Sequence, residues 1–299
     1  MSAQPTNTMG RYELRRVLGR GSQGRVYLGF DPELQRNVAI KIITSEKAEF
    51  NLTGANGTPL EALVSSRIKH PHIVPIHDIG HGDLGPYLVF GYVEGKTLAV
   101  ELSSRQKYSV ADAVLLMGTI LDAVATAHDA NVLHLDLGPR NIMLDGEGKP
   151  QIMDFGLAQF ANFEREDLGL ATGTLRYMAP EHFLRQELGP YTDVFALAST
   201  FYEMLTGRRA IPCENIDAIQ RNIVNVAVAY EPINELPHAE HLLRCFKGAF
   251  VCDYEQRYAD AGKMRDAFKL MVTAAGLADD ARSDDLSHST VDFLLRRMQ

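Results

Sequence analysis

The stretch HLDLGPRNIML, His134 to Leu144, sets a histidine two positions before an aspartate, with Arg140 four and Asn141 five positions after that aspartate. Leu135 and Gly138 stand between these polar groups. Whether such a loop works as a catalyst, or belongs to a fold that has given up the chemistry, depends on what the rest of the chain supplies.

The chain has 299 residues, long enough for two lobes or two domains. Its 45% apolar and 23% charged residues are ordinary for a globular protein and set disordered and fibrous classes aside. The 38 acidic against 30 basic residues leave a net charge of -8 with no Lys/Arg block, which argues against a broad grip on nucleic acid or anionic lipid. Cys213, Cys245 and Cys252 fit no metal-ligand or CxxC spacing, so a reducing, cytoplasmic setting is expected. No signal-peptide pattern opens MSAQPTNTMG, and no apolar run is expected to approach the length and apolarity of a membrane span.

From Arg11 to about Asp78 short alternating strands dominate, in YELRRVLG, RVYLGFD and NVAIKII, with one helical stretch in TPLEALVSSRIK. PYLVFGYV reads as a further strand. Beyond Gly95 the spacing turns helical, in SVADAVLLMGTILDAVATAHDAN and TDVFALASTFYEMLTGRR. The coarse result is an α+β chain: a flexible N-terminus over 1–10, a small β-rich lobe over 11–93, a larger α-rich lobe over 94–276, and a polar linker with an amphipathic tail over 277–299.

Gly19, Gly21 and Gly24 sit between two strands, which excludes a dinucleotide fingerprint and fits either a plain hairpin or a loop that lets backbone N–H groups approach phosphates. Lys41, inside the apolar run VAIK, needs an anion if buried. Glu61 is a candidate partner, though Thr58-Pro59-Leu60-Glu61 also reads as a capping box.

Together with HLDLGPRN, Asp154-Phe155-Gly156 and GTLRYMAPE, these motifs resemble, in order and spacing over about residues 11 to 275, the protein kinase family, and within it bacterial kinases of the eukaryotic serine/threonine type. The resemblance implies a bilobal kinase-like fold with one regulatory helix in the N-lobe, and an ATP- and Mg²⁺-dependent transfer to serine or threonine of a protein substrate. Lys41, paired with Glu61, would hold the α- and β-phosphates; Asp136 would accept the substrate proton; Asn141 and Asp154 would hold Mg²⁺. Leu18, Gly19, Gly21, Gly24, Val26, Ala39, Phe90 as gatekeeper, the backbone of Gly91 and Val93, and Met143 would surround the nucleotide. Thr172 is the phosphorylation candidate and Thr174 faces the catalytic aspartate, with Asp193 and Arg257, the latter paired with Glu181, as scaffold. The tail is similar to the junction at which some bacterial kinases lead into a covalently linked signalling domain.

The pattern breaks in three places. Leu135 replaces an arginine that in the family receives an activation-loop phosphate, so activity is expected to depend less on that modification. Gly138 replaces a lysine that touches the γ-phosphate; Arg140 stands where many tyrosine kinases place an arginine for this task. Gly54, Gly57 and Pro59 are expected to keep the first half of the helix that carries Glu61 from forming. An active serine/threonine kinase is the leading expectation, ahead of a nucleotide-binding pseudokinase module; an aminoglycoside-type phosphotransferase is disfavoured by GTLRYMAPE.

Overall fold

The computed structural model describes residues 8–21, 24–43, 67–154, 159–160, 175–212 and 216–277. It has the bilobal α+β architecture expected from the sequence.

The N-lobe is one antiparallel sheet in the order β1-β2-β3-β4-β6-β5, built from β1 (Thr8–Met9), β2 (Tyr12–Gly21), β3 (Gly24–Asp31), β4 (Arg36–Ile43), β5 (Ile76–Gly82) and β6 (Gly85–Gly91). The sheet starts earlier than the alternation suggests, because Met9 pairs with Tyr12 and is buried in the N-lobe core. Strand β4 shows why the run VAIKI forms here. Val38, Ile40 and Ile42 point to one face, where they pack with Tyr12, Tyr87 and Val89. Ala39 and Lys41 take the opposite face. Cross-strand register places Val26 opposite Lys41, Phe90 opposite Ala39 and Leu88 opposite Lys41, so these side chains share that second face.

The C-lobe carries β7 (Gly95–Thr97), α1 (Leu98–Arg105), α2 (Val110–Asp129), β8 (Val132–Leu133), β9 (Ile142–Asp145), β10 (Pro150–Ile152) and β11 (Gln159–Phe160). After these come α3 (Pro180–Leu184), α4 (Pro190–Thr206), α5 (Ile216–Val224), α6 (Glu231–Asn234), α7 (Ala239–Ala249) and α8 (Ala261–Ala274). Ser109 caps α2 by accepting the Asp112 N–H, and Gly207 ends α4 in the left-handed region at φ 66°, where a side chain would also meet the Gln106 carbonyl. Helix α4 is buried along nearly its whole length, and Phe201, Tyr202, Phe246, Phe250 and Phe268 interlock around it.

The expectation that no apolar run has the makings of a membrane span needs correction for α2. Its 20 residues have a mean hydropathy of 1.7, enough by length and composition, and 67% of that window is buried. Its apolarity is explained by packing against both α4 and α8 in the C-lobe core.

The lobes are stitched by the segment before β5. Val74 N–H donates to the Ile152 carbonyl at 2.9 Å and Ile152 N–H to the His72 carbonyl at 2.8 Å. His70 accepts the His72 N–H on Nδ1, so its Nε2–H is the donor to Asp122, at 3.2 Å. In the C-lobe, Arg257 meets Glu181 through two parallel bonds of 2.8 and 3.1 Å, both side chains fully buried. Carbonyls of Val251 and Tyr191 take up further Arg257 donors. The buried pair is therefore well satisfied, and removing one partner strands the other. Arg257→Ala is expected to lower unfolding stability by about 3–5 kcal/mol in denaturant melts; a loss below about 1 kcal/mol would show that the pair is energetically idle.

Candidate functional site: a cleft between the lobes

Asp136 and Asn141 are brought together by the turn that follows β8. Asn141 lies on a short 3-10 helix, Pro139–Asn141, and its Nδ2 donates to both the Asp136 carbonyl at 2.7 Å and the Asp136 carboxylate at 3.0 Å. The amide group thereby orients the carboxylate, with its own oxygen directed elsewhere as an acceptor.

The shape of this turn is imposed from beneath by Asp193, in the first turn of α4. Its two carboxylate oxygens accept the N–H groups of His134 and Leu135, each at 2.8 Å, and His128 Nε2 lies 3.0 Å away. His128 accepts the Ala261 N–H on Nδ1, so Nε2 carries the hydrogen that it donates to Asp193. Burial alone would raise the Asp193 pKa, but the His128 and backbone hydrogen bonds outweigh it and hold the group below its usual value. Leu135 sits at φ 63°, a left-handed conformation that costs a leucine about 1–3 kcal/mol, and the N–H bond to Asp193 together with burial of its side chain holds it there.

His134 completes the loop. Its Nδ1 accepts the Asp136 N–H at 3.3 Å, leaving Nε2–H to donate to the Met153 carbonyl at 3.1 Å. Met153 N–H returns to the Asn141 carbonyl, which places the next residue, Asp154, beside the loop. Asp154 is itself left-handed, at φ 62°. Its Oδ1 receives Lys41 Nζ at 2.7 Å, across the cleft from the N-lobe sheet. The Lys41 side chain is 9% exposed and that of Asp154 41%, so the cation is largely buried while the carboxylate keeps access to solvent.

The other anticipated residues have the following neighbours. Val26, Ala39 and Phe90 share the sheet face of Lys41. Met143 pairs with Thr97 and Gln151 on the floor. Gly91 N–H donates to the Pro75 carbonyl, and Val93 is half-buried just past β6. Leu18 is exposed near the β2–β3 hairpin. Nothing lies within 4 Å of where a Gly19 side chain would begin, so packing does not require glycine there; at Gly24 a side chain would collide with the Ile42 carbonyl. Arg140 is exposed and makes no ion pair among the described residues. Glu61, Thr172 and Thr174 lie outside the described residues, as do Phe155 and Gly156.

The Lys41–Asp154 contact was not foreseen, since the sequence reading paired Lys41 with Glu61. The resemblance supplied both residues; only folding shows that they touch. The role of His128 also lacked a local signal.

A family model described as protein kinase domain matches residues 12–284. The chain belongs to the protein kinase family. The kinase domain is 36% identical over 199 residues to serine/threonine-protein kinase PknH of Mycobacterium tuberculosis, which covers 66% of this chain and 32% of PknH. It is 31% identical over 269 residues to serine/threonine-protein kinase PrkC of Bacillus subtilis, covering 82% and 41%, and 30% identical over 278 residues to probable serine/threonine-protein kinase SCO3848 of Streptomyces coelicolor, covering 88% and 40%. The chain thus spans about a third to two-fifths of the length of these relatives.

Asp193 gives the kinase domain a defined acid sensitivity. Its folded-state pKa lies below the 3.8 usual for an aspartate, so its stabilisation is present above that value and is lost as pH falls through the lower folded value. Below pH 3.8 the wild type is expected to lose stability more steeply than Asp193→Asn, measured by denaturant melts at stepped pH; parallel slopes would remove Asp193 from the account.

Proposed function

We propose that this domain transfers the γ-phosphate of ATP to a serine or threonine hydroxyl of a protein, as a bacterial signalling kinase working in the cytoplasm. The observation that carries the reading is the meeting of Asn141 with Asp136 on one side of the cleft and of Lys41 with Asp154 on the other. Serine/threonine kinases among the relatives support it.

In this reading the hydroxyl oxygen attacks the γ-phosphorus as the bond to the bridging β–γ oxygen breaks, and ADP leaves. Asp136, held by Asn141, orients that hydroxyl and takes its proton. Lys41 binds the α- and β-phosphates, and Glu61 supports Lys41. Asn141 and Asp154 offer an amide and a carboxylate oxygen, donors suited to Mg²⁺. When bound, the ion neutralises charge on the phosphate oxygens. Adenine lies between Val26 and Ala39 above and Met143 below, beside the backbone of Gly91 and Val93, with Phe90 and Leu18 at its margins; Gly19, Gly21 and Gly24 leave the hairpin backbone open to the phosphates. Thr172 is a site for phosphorylation, and Thr174 stands near Asp136. A signalling domain joined after the tail is part of the same reading.

Arg140 is assigned the γ-phosphate contact that lysine makes elsewhere, since an exposed guanidinium on the 3-10 helix is one residue from Asn141. With labelled ATP, Mg²⁺ and a generic protein substrate, Asp136→Asn is expected to lose about 10²–10⁴-fold in kcat, and Arg140→Ala about 10²–10³-fold. Wild-type transfer no greater than that of Asp136→Asn, with ATP still bound, would make the domain a pseudokinase. A full rate in Arg140→Ala would refute only the relocated cation.

A further inference from the structure

Gly138 lies under a side chain from a distant part of the chain. A methyl group at this position would stand 3.1 Å from Cδ2 of Tyr177 and 3.4 Å from its Cε2 and Cγ, so the ring covers the glycine. Gly138 itself is extended, with φ 176° and ψ 170°, a backbone that any residue adopts. The constraint on residue 138 is therefore the ring.

Tyr177 has little freedom to give way. It ends the 3-10 helix Leu175–Tyr177, and its hydroxyl donates to Glu203 Oε2 on α4 at 2.6 Å. Arg209 lies 4.7 Å above the ring centroid and 3.2 Å from the same glutamate oxygen. Burial first, and the Glu203 charge second, push the tyrosine pKa far up, so the hydroxyl stays a donor. Below the loop, Asp193 allows no retreat: it grips His134 and Leu135. Residue 138 is thus held between an anchored ring and an anchored turn, midway between Asp136 and Arg140.

We propose that Gly138 and Tyr177 form a fitted contact that sets the position of Asp136 and Arg140, making Tyr177 a positioning residue for phosphotransfer. The inference rests on the kinase reading and deepens it. Lysine at 138 is then an overpacking substitution here, and the segment entering α3 is fastened to the catalytic loop by a ring contact that needs no phosphate.

The test is a double-mutant cycle of Gly138→Ala and Tyr177→Phe, read as kcat and KM for ATP, with thermal melting of the same four proteins. Phenylalanine keeps the ring but frees it from Glu203, so it can shift by the few tenths of an ångström that a methyl group needs. Gly138→Ala is expected to lower kcat about tenfold alone, and less than about threefold beside Tyr177→Phe, with KM for ATP unchanged. Gly138→Lys is expected to lower kcat as well. An unimpaired Gly138→Ala, equal losses in both backgrounds, or a coupling seen in melting but not in kcat would each overturn the proposal. Wild-type turnover above Asp136→Asn is read first, so a failure of the kinase reading is distinguished from a failure of this one.

Discussion

One buried carboxylate carries the arrangement of the cleft. Asp193 is an isolated charge in the packed C-lobe, and such a group persists only if its oxygens are satisfied. Three donors do so: the N–H groups of His134 and Leu135 and the imidazole of His128. Satisfying the charge simultaneously bends the chain at Leu135 into a conformation that a leucine avoids, and that bend delivers Asp136 to Asn141. The cost of burying the charge and the strain of the turn are offset by the same bonds.

From there the geometry propagates by short links. His134 reaches Met153, Met153 returns to Asn141, and Asp154 emerges beside the loop to meet Lys41 from the other lobe. The N-lobe contributes through strand alternation: because Val38, Ile40 and Ile42 fill one face of β4, Lys41 must project from the other. The bonds of His72 and Val74 to Ile152 keep the two lobes in register.

Much of this was legible in the sequence, for identifiable reasons. Apolar spacing marks α2 and α4, alternation marks β4, and ordered motifs tie Glu181 to Arg257 and Asp193 to the catalytic loop. What escaped sequence reading depends on tertiary approach. Neither Lys41 nor Asp154 announces the other across 113 positions. Nothing in GTLRYMAPE signals that the ring of Tyr177 lies against Gly138. Composition marked α2 poorly, since a helix apolar on most sides serves a protein core and a bilayer equally well. Leu135 reads in sequence as the loss of a phosphate receiver and Gly138 as the loss of a phosphate cation; in the fold the first is a buried, bent anchor of the loop and the second lies under a ring.

The most direct test of Asp193 as the organising contact is hydrogen exchange at the amides of His134 and Leu135. In the wild type both are expected to exchange only with the slowest amides of α4. In Asp193→Asn the side chain offers one acceptor oxygen and turns an N–H toward a second donor, so one amide or both should exchange much faster while α4 stays protected. Unchanged protection in Asp193→Asn, or rapid exchange in the wild type, would contradict the account.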